Sequence, residues 1–445
     1  METPNTKTSF FQSNTARLIM VGVLTLVLFI PLALVQNLIS ERSDRQDEVK
    51  NKITSKWGGP VSFYGPIVKI PYKAIEETVN YNENTKQSIR QRRWVTQYAY
   101  FFPETLKNKS TVTTEKRHYG YFEAAVFTSK MNFEGNFVKP DFSSRDIAES
   151  DILWDKAQLV IQTTNLKSIQ NEVKIRLGQT ELAFEPLFNS DNQDTLDALE
   201  TGFFDAGVLR DSGNVPFKFD ISYRGSDYLH IVPIGKTTTA TMASNWESPS
   251  FSGNFLPNEK GATGGFPANW KILHVNRPFA QQAFGTLPEL SQFAFGVDFS
   301  IPVDQYLQND RASKYGFLII GLTFLIFFLI QMMSKVRIHI FQYGMIGLAL
   351  IMFYTLLLSI TEHSSFTLAY LIATAAVVIM ISTYSISILK NRKFPLFIAG
   401  SLTALYGFIY VIIQMEDYAL LFGSIGLFMI LAAVMYFSRK IDWSN

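Results

Sequence analysis

Residues 18–39 read LIMVGVLTLVLFIPLALVQNLI, a run of 22 residues without one Asp, Glu, Lys or Arg. Further segments of this kind lie at residues 315–334, 340–361, 366–389, 395–413 and 418–437. A helix that crosses a membrane needs about 20 mostly apolar residues, because each residue rises ~1.5 Å and the hydrocarbon core is ~30 Å thick. Backbone polar groups in lipid must also be paired within the segment. The sequence therefore predicts six transmembrane helices.

The charged residues are concentrated outside these segments. Residues 41–313 carry 30 basic and 33 acidic side chains, so this long segment has the composition of a soluble domain and enough chain for its own core. Its net charge of −3 argues against nucleic acid as a partner. Cysteine is absent, which excludes disulfides, thiolate metal sites and cysteine nucleophiles.

Charges in the short connections predict the orientation. One set of alternate connections is basic and contains Lys335, Arg337, Lys390, Arg392 and Lys393, with Arg439 and Lys440 after the last segment. The other set contains Glu362, Glu416 and Asp417 and no Lys or Arg. Because positive residues stay in the cytoplasm, both termini are predicted to be cytoplasmic and residues 41–313 to be carried across the membrane.

The predicted organisation follows directly. Residues 1–17 form a cytoplasmic tail, 18–39 the first transmembrane helix, 40–314 an exported domain, 315–437 a five-helix membrane domain, and 438–445 a second cytoplasmic tail. The first helix is interpreted as an uncleaved signal anchor, because its apolar run exceeds the ~7–15 residues of a signal peptide. A cleaved signal peptide is the alternative, although Ala33-Leu34-Val35 matches a cleavage site poorly.

The exported segment has the pattern of a β-rich domain. The first helix is predicted to continue towards Trp57, where Gly58-Gly59-Pro60 ends it. Short alternating runs such as 158–162, 172–177 and 217–223 then predict half-buried strands. An antiparallel, sandwich-like fold is expected, since many short strands must each bury one face.

Two features of this domain are candidates for binding. Residues 244–270 are rich in Gly, Pro and aromatics, including Trp246, Phe251 and Trp270. This loop either lies with its aromatic side on the membrane or on other helices, or completes the domain core. The basic segment 86–117 either contacts anionic headgroups or envelope polymer, or forms a solvated hairpin.

No motif in the sequence predicts catalysis. The histidines are scattered without H-E-x-x-H spacing, no G-x-S-x-G occurs, and Gly235-Lys236-Thr237 lacks the earlier glycine of a phosphate loop. We therefore expect no catalytic residue, no metal and no cofactor.

In the membrane half, Glu362 and His363 end the third apolar segment, while Glu416 and Asp417 precede the last one. The two groups would meet at the outer surface if these helices pack together.

The chain resembles the CreD family of bacterial inner-membrane proteins, and the resemblance spans nearly its whole length. Its motifs include Ile30-Pro31-Leu32, Trp57-Gly58-Gly59, Gly65-Pro66-Ile67-Val68, Ser244-Asn245-Trp246-Glu247-Ser248-Pro249, Pro302-Val303-Asp304-Gln305-Tyr306, Thr361-Glu362-His363, Leu405-Tyr406-Gly407 and Glu416-Asp417-Tyr418. The chain departs from the family at His118-Tyr119-Gly120, where an Arg-Gly pair is expected. The resemblance implies an inner-membrane location and an association with envelope stress, and it implies no reaction.

The resemblance, together with the absence of catalytic motifs, implies a protein that maintains envelope integrity by binding or scaffolding through its periplasmic domain. The expected partners are the lipid bilayer and an envelope protein or lipid ligand, with no nucleic acid. The candidate working surface joins Glu362, His363, Glu416 and Asp417 to the aromatics Trp246, Phe251 and Trp270. A transporter or lipid-handling protein is the alternative and predicts a cleft among the last five helices. A metal-independent hydrolase is a more distant alternative, and it would require a Ser or Asp–His constellation brought together by folding.

Overall fold

The computed structural model describes residues 14–82, 87–120, 122–187, 197–260, 265–299, 305–334, 336, 338–389, 393–415 and 418–439. The chain divides into two compact units. The helical unit consists of Met1–Glu48 with Val303–Asn445, and the β unit consists of Val49–Pro302.

Long helices dominate the helical unit. The α-helices of the described chain are α1 (Asn14–Trp57), α2 (Gly207–Ser212), α3 (Gln305–Lys314), α4 (Gly316–Ser334), α5 (Ile340–Thr361), α6 (Phe366–Leu389), α7 (Lys393–Gln414) and α8 (Ala419–Ser438). Helix α1 continues beyond its apolar part because residues 40–50 are mostly good helix formers, and it ends at Trp57 as predicted. Its last nine residues, 49–57, belong to the β unit.

Several helices have the length and composition of membrane spans. Among the described residues, α1, α5, α6, α7 and α8 are each long and apolar enough to cross a membrane. Helices α3 and α4 meet at a 41° bend and together would form a sixth span. The prediction of a multi-helix membrane part is therefore confirmed, with five or six candidate spans.

The core of the helical unit includes side chains of α1, α4, α5, α6 and α7. The ring of Phe353 lies 5.3 Å from that of Tyr370 and 4.6 Å from that of Tyr406. The Tyr370 hydroxyl donates to the Tyr406 carbonyl oxygen at 2.8 Å. Helix α8 is more exposed and carries a largely apolar surface, as expected for a helix that faces lipid.

The β unit contains one large mixed sheet. Its strands are β1 (Val61–Asn82), β2 (Gln87–Phe101), β3 (Thr105–Tyr119), β4 (Phe122–Val138), β5 (Gln158–Thr163), β6 (Lys174–Leu177), β7 (Thr180–Pro186), β8 (Asp197–Thr201), β9 (Asn214–Ser226), β10 (Tyr228–Ile231), β11 (Thr237–Ser244), β12 (Ser250–Gly253), β13 (Glu259–Lys260), β14 (Phe266–Leu273), β15 (Gln282–Phe284) and β16 (Phe295–Asp298). Their order is β12-β16-β10-β1-β5-β8-β7-β6-β9-β4-β3-β11-β14-β13, with β2 beside β1 and β15 beside β2.

The sheet differs in two respects from the predicted antiparallel sandwich. The β1–β10 and β3–β11 pairs are parallel, which is possible because more than a hundred residues separate the members of each pair and allow a crossover. In addition, β7 pairs with β6 through residues 180–183 and with β8 through residues 184–186. The two halves of the sheet are thereby joined into one hydrogen-bonded path.

The hydrophobic core of the β unit lies between these two halves. The Phe63 ring of β1 stacks on Phe133 of β4 at 4.4 Å, and Phe133 stacks on Phe219 of β9 at 4.9 Å. All three side chains are almost completely buried. Side chains alternate between faces along each strand, so the opposite face of β3, β4 and β9 is exposed and charged.

Candidate functional site

Glu362 lies at the C-terminal end of α5 and is joined to α1. Its Oε1 atom is 3.5 Å from Nη1 of Arg42, and its side chain is only 19% exposed, compared with 42% for Arg42. The backbone N–H of Glu362 donates to Leu358 at 3.2 Å, which continues the helical pattern, and His363 follows directly. An ion pair with one exposed partner contributes at most about 1 kcal/mol. Its structural effect is to join two helices at one end of the helical unit.

Helix α3 adds polar contacts to the same end of α5. With its amide oriented to donate, Gln305 reaches the carbonyl oxygens of Thr361 at 3.0 Å and Ser364 at 3.2 Å. Gln36 of α1 donates to the Ser313 carbonyl at 3.1 Å. Sequence analysis missed this role of α3, because its polar residues read as part of the exported domain. The motif Pro302–Tyr306, which overlaps the start of α3, was the sequence feature that could have indicated this role.

Glu416 and Asp417 lie outside the described residues. Helix α7 ends at Gln414, and α8 begins at Ala419. That this acidic pair meets Glu362 and His363 therefore stays a prediction.

The three predicted aromatic residues all lie in the β unit. Trp246 is 8% exposed, and its Nε1 donates to the Ser248 carbonyl at 3.0 Å. Trp270 is 3% exposed, donates to the Phe255 carbonyl at 3.0 Å, and meets the half-buried Phe251 ring edge-on at 6.0 Å. These side chains complete the core of the β unit, which is the second of the two arrangements expected for this loop. Their packing has a structural explanation that requires no ligand.

Folding brings together a histidine, a serine and an aspartate that sequence analysis did not connect. Strand β16 lies between β10 and β12, and both His230 and Ser252 pair with Gly296 of β16. Because Gly296 has no side chain, the two residues approach each other across the middle strand. Asp298 lies two positions further along β16, so its side chain is on the same face.

The geometry of this trio is a closed hydrogen-bonded triangle. His230 Nε2 lies 2.8 Å from Ser252 Oγ and 2.9 Å from Asp298 Oδ1, and Ser252 Oγ donates to the same Oδ1 atom at 2.6 Å. In a Ser–His–Asp relay the serine and the aspartate use opposite nitrogens of the imidazole. Here one nitrogen faces both, so the arrangement matches a structural cross-strand link rather than a relay.

Burial sets the charge state of this histidine. Loss of solvent lowers the pKa of His230 below its ordinary value, and the hydrogen bond and charge of Asp298 oppose this effect only in part. The imidazole is therefore neutral at pH 7 and can donate one N–H to the carboxylate. The Tyr228 ring stacks on it at 4.2 Å and shields it further.

An apolar groove lies between α4, α7 and α8 in the helical unit. Its volume is about 690 Å³, within the ~300–1,000 Å³ typical of ligand pockets. Phe397 and Phe408 of α7 and Ala433 of α8 are among its walls, and Lys393 lies at its edge. The arrangement can accept an apolar chain and places one cationic residue at the edge.

In the described ranges, no group of three or more His, Asp or Glu side chains has the geometry to hold a metal ion.

The comparison with known proteins covers nearly the whole chain. The model of the family described as "Inner membrane protein CreD" matches residues 13–444. The chain belongs to the CreD family. Inner membrane protein CreD of Escherichia coli (strain K12) is 30% identical over 426 residues, which cover 94% of this chain and 91% of that protein.

Membership confirms the resemblance predicted from the motifs. The match includes both the helical and the β unit. Together with the apolar helices, it makes this chain a multi-pass inner-membrane protein.

Proposed function

We propose that this protein maintains the integrity of the cell envelope by binding an envelope protein or lipid through its β unit, and that it acts as a scaffold rather than as an enzyme. We place the β unit in the periplasm, with six membrane spans and both termini in the cytoplasm. The alternation of basic and acidic connections supports this orientation.

The anchoring of α1 in the β unit is the observation that carries the proposal. Trp57, the last residue of α1, donates its Nε1 hydrogen to the Phe127 carbonyl at 3.2 Å. The guanidinium groups of Arg117 and Arg224 lie 3.9 Å and 4.7 Å from its ring. Each cation–π contact contributes about 0.5–1 kcal/mol. The last residues of a helix long enough to span the membrane thus belong to a folded domain, which is what a tethered scaffold requires.

Cysteine labelling tests the orientation without background, because the natural chain has no cysteine. Asn258→Cys would introduce a thiol at an exposed position of the β unit, and Ser444→Cys one in the predicted cytoplasmic tail. We expect a membrane-impermeant thiol reagent to label the first variant in intact cells and the second only after permeabilisation. The reverse pattern rejects the periplasmic placement.

Detergent sensitivity tests the function. Cells that lack the protein should be more sensitive than cells that produce it, and equal sensitivity rejects a role in envelope integrity.

The contribution of the outer polar cluster is tested by replacing Glu362, His363, Glu416 and Asp417 together with Ala. We expect greater sensitivity at unchanged protein abundance. An unchanged phenotype at unchanged abundance removes this cluster from the working surface.

A lipid-handling role is the second candidate, and the apolar groove favours it. A cleft among the last five helices is what this alternative predicts, and Lys393 at the groove's edge would suit an anionic headgroup. Ala433 lines the groove, whereas the exposed Ala432 beside it does not. We expect Ala433→Trp to reduce crosslinking of a photoactivatable phospholipid several-fold, and Ala432→Trp to have little effect. Equal crosslinking in both variants argues against a specific lipid site.

A further inference from the structure

Four charged residues form a row across the exposed face of the β unit. Pairing of β3, β4, β9 and β6 places Lys107 opposite Glu134, Glu134 opposite Lys218, and Lys218 opposite Arg176. All four side chains are exposed, while residues beside them such as Leu106 and Phe219 are buried. Since neighbouring strands are ~4.8 Å apart, the row is roughly 14 Å long.

This row lines a groove of about 390 Å³. Thr105 and Asn136 add neutral polar groups to its wall, and Gly178 lies in the turn between β6 and β7. The groove is therefore polar and open to solvent, unlike the apolar groove of the helical unit.

The charges in the groove are not balanced internally. Lys218 Nζ lies 2.6 Å from Glu134 Oε1, and this hydrogen bond, with the positive charges of Lys218 and Lys107, lowers the pKa of Glu134. The charges of Glu134 and Lys218 cancel each other. Lys107 lies on one side of this pair and Arg176 on the other. Within the described part of the chain, neither of these two cations forms an ion pair with a carboxylate.

The arrangement also has an energetic cost that a ligand would remove. Lys218 and Arg176 are like charges directly opposite each other, which is unfavourable, and Glu181 of β7 faces Arg176 from its other side. Yet the segment 41–313 as a whole is net negative. Three of its 30 basic side chains, Lys107, Lys218 and Arg176, nevertheless line this one groove, with Glu134 as the acidic residue among them.

We propose that the groove between β3 and β6 binds a phosphate group of an envelope component. This inference rests on the proposed binding function and names the chemistry of its ligand. Arg176 offers two parallel N–H donors for two phosphate oxygens, and Lys107 and Lys218 supply point charges on the other side. The oxygens of a phosphate are arranged tetrahedrally and can accept from donors on several strands, whereas the two oxygens of a carboxylate lie in one plane. The phosphate belongs either to a lipid headgroup or to a water-soluble molecule.

Binding measurements on the full chain in phosphatidylcholine nanodiscs test the proposal. One arm titrates inorganic phosphate, and the other measures co-flotation with vesicles of phosphatidylcholine with or without phosphatidylglycerol. The test variant is Lys107→Ala with Arg176→Ala. The control is Lys109→Ala with Lys271→Ala, which removes two positive charges from the same exposed face but outside the groove.

We expect the groove variant to bind at least about tenfold more weakly than the natural chain, and the control less than about twofold more weakly. Binding should also weaken as salt increases. Phosphate binding alone indicates a soluble ligand, and vesicle binding that depends on phosphatidylglycerol indicates a lipid headgroup. Equal losses in both variants, or no binding in either arm, overturn the proposal. If the groove variant nevertheless restores detergent resistance, the scaffold function stands without this site.

Discussion

Gly296 of the β unit and Gly347 of the helical unit both lie where two elements touch, but they face different neighbours. A Cβ atom at Gly296 would lie 2.0 Å from the backbone oxygen of Leu229 in the adjacent strand. At Gly347 it would lie 2.2 Å from Cδ1 of Leu28, the end of a side chain. Strand backbones are held ~4.8 Å apart by hydrogen bonds, whereas packed helices are 8–10 Å apart. A side chain at Gly296 would therefore meet a strand backbone that is held by hydrogen bonds, whereas one at Gly347 would meet a leucine side chain that can change rotamer.

The largest expected effect tests this contrast directly. Gly296→Ala should destabilise the β unit by about 3 kcal/mol or more, because a strand must move to relieve the clash. Gly347→Ala should cost less than about 1 kcal/mol, since Leu28 can change rotamer. Thermal unfolding of the full chain in detergent micelles, combined with hydrogen exchange at residues 228–231 and 295–298, measures both. Similar losses in the two variants would contradict the contrast.

The anchor of α1 should be the next most sensitive point. Trp57→Ala removes a hydrogen bond, two cation–π contacts and a large packed ring, so we expect a loss of about 2–3 kcal/mol. Trp94 is the matched control, because its side chain is 64% exposed. Trp94→Ala should change the free energy of unfolding by less than about 0.5 kcal/mol. If both substitutions are equally mild, Trp57 does not anchor the helix.

A smaller effect should appear as a pH dependence of the β unit. Burial lowers the folded-state pKa of His230 below its ordinary value of 6.5, so the unfolded chain binds more protons in mild acid. The stability contributed by neutral His230 is complete above pH 6.5 and is lost as the pH falls through that value towards the folded-state pKa. His230→Gln should flatten this decline, and His274→Gln, at an exposed position, should leave it unchanged. Thermal midpoints from pH 7.5 to pH 5 check the slopes, and a slope unaffected by His230→Gln contradicts the assignment.

The smallest effect belongs to the ion pair of the helical unit. Arg42→Gln should cost at most about 1 kcal/mol, because Arg42 is partly exposed to solvent. A double-mutant cycle with Glu362→Gln isolates the interaction, which should vanish in high salt. Arg45→Gln, at an exposed position of the same helix, serves as the control. A coupling above about 2 kcal/mol would mean that this pair stabilises the unit far more than its exposure allows.

The long-range features were harder to predict than the local ones. The apolar segments and the end of α1 at Trp57 depend on neighbouring residues, and sequence analysis identified them. The meeting of His230, Ser252 and Asp298 depends on two strand pairings made by segments far apart in the chain. No spacing within the sequence indicates it, and the histidines were accordingly described as scattered.

The same reason explains α3 and the charged row. Gln305 lies ten residues before the apolar segment, so composition assigned it to the exported domain, although its amide reaches the end of α5. Lys107 was noted as one member of a basic segment. Its functional neighbours Lys218 and Arg176 come from strands distant in sequence, and only the register of the sheet places them in one groove.

The sequence by itself determined that this chain is a multi-pass membrane protein with a large β-rich part, because the absence of charge from long apolar runs is a local property that lipid enforces. The tertiary structure decided the mixed strand order, the His230 triangle and the basic groove. These depend on which distant strands pair and in which register, and a shift of one residue would turn every side chain to the opposite face.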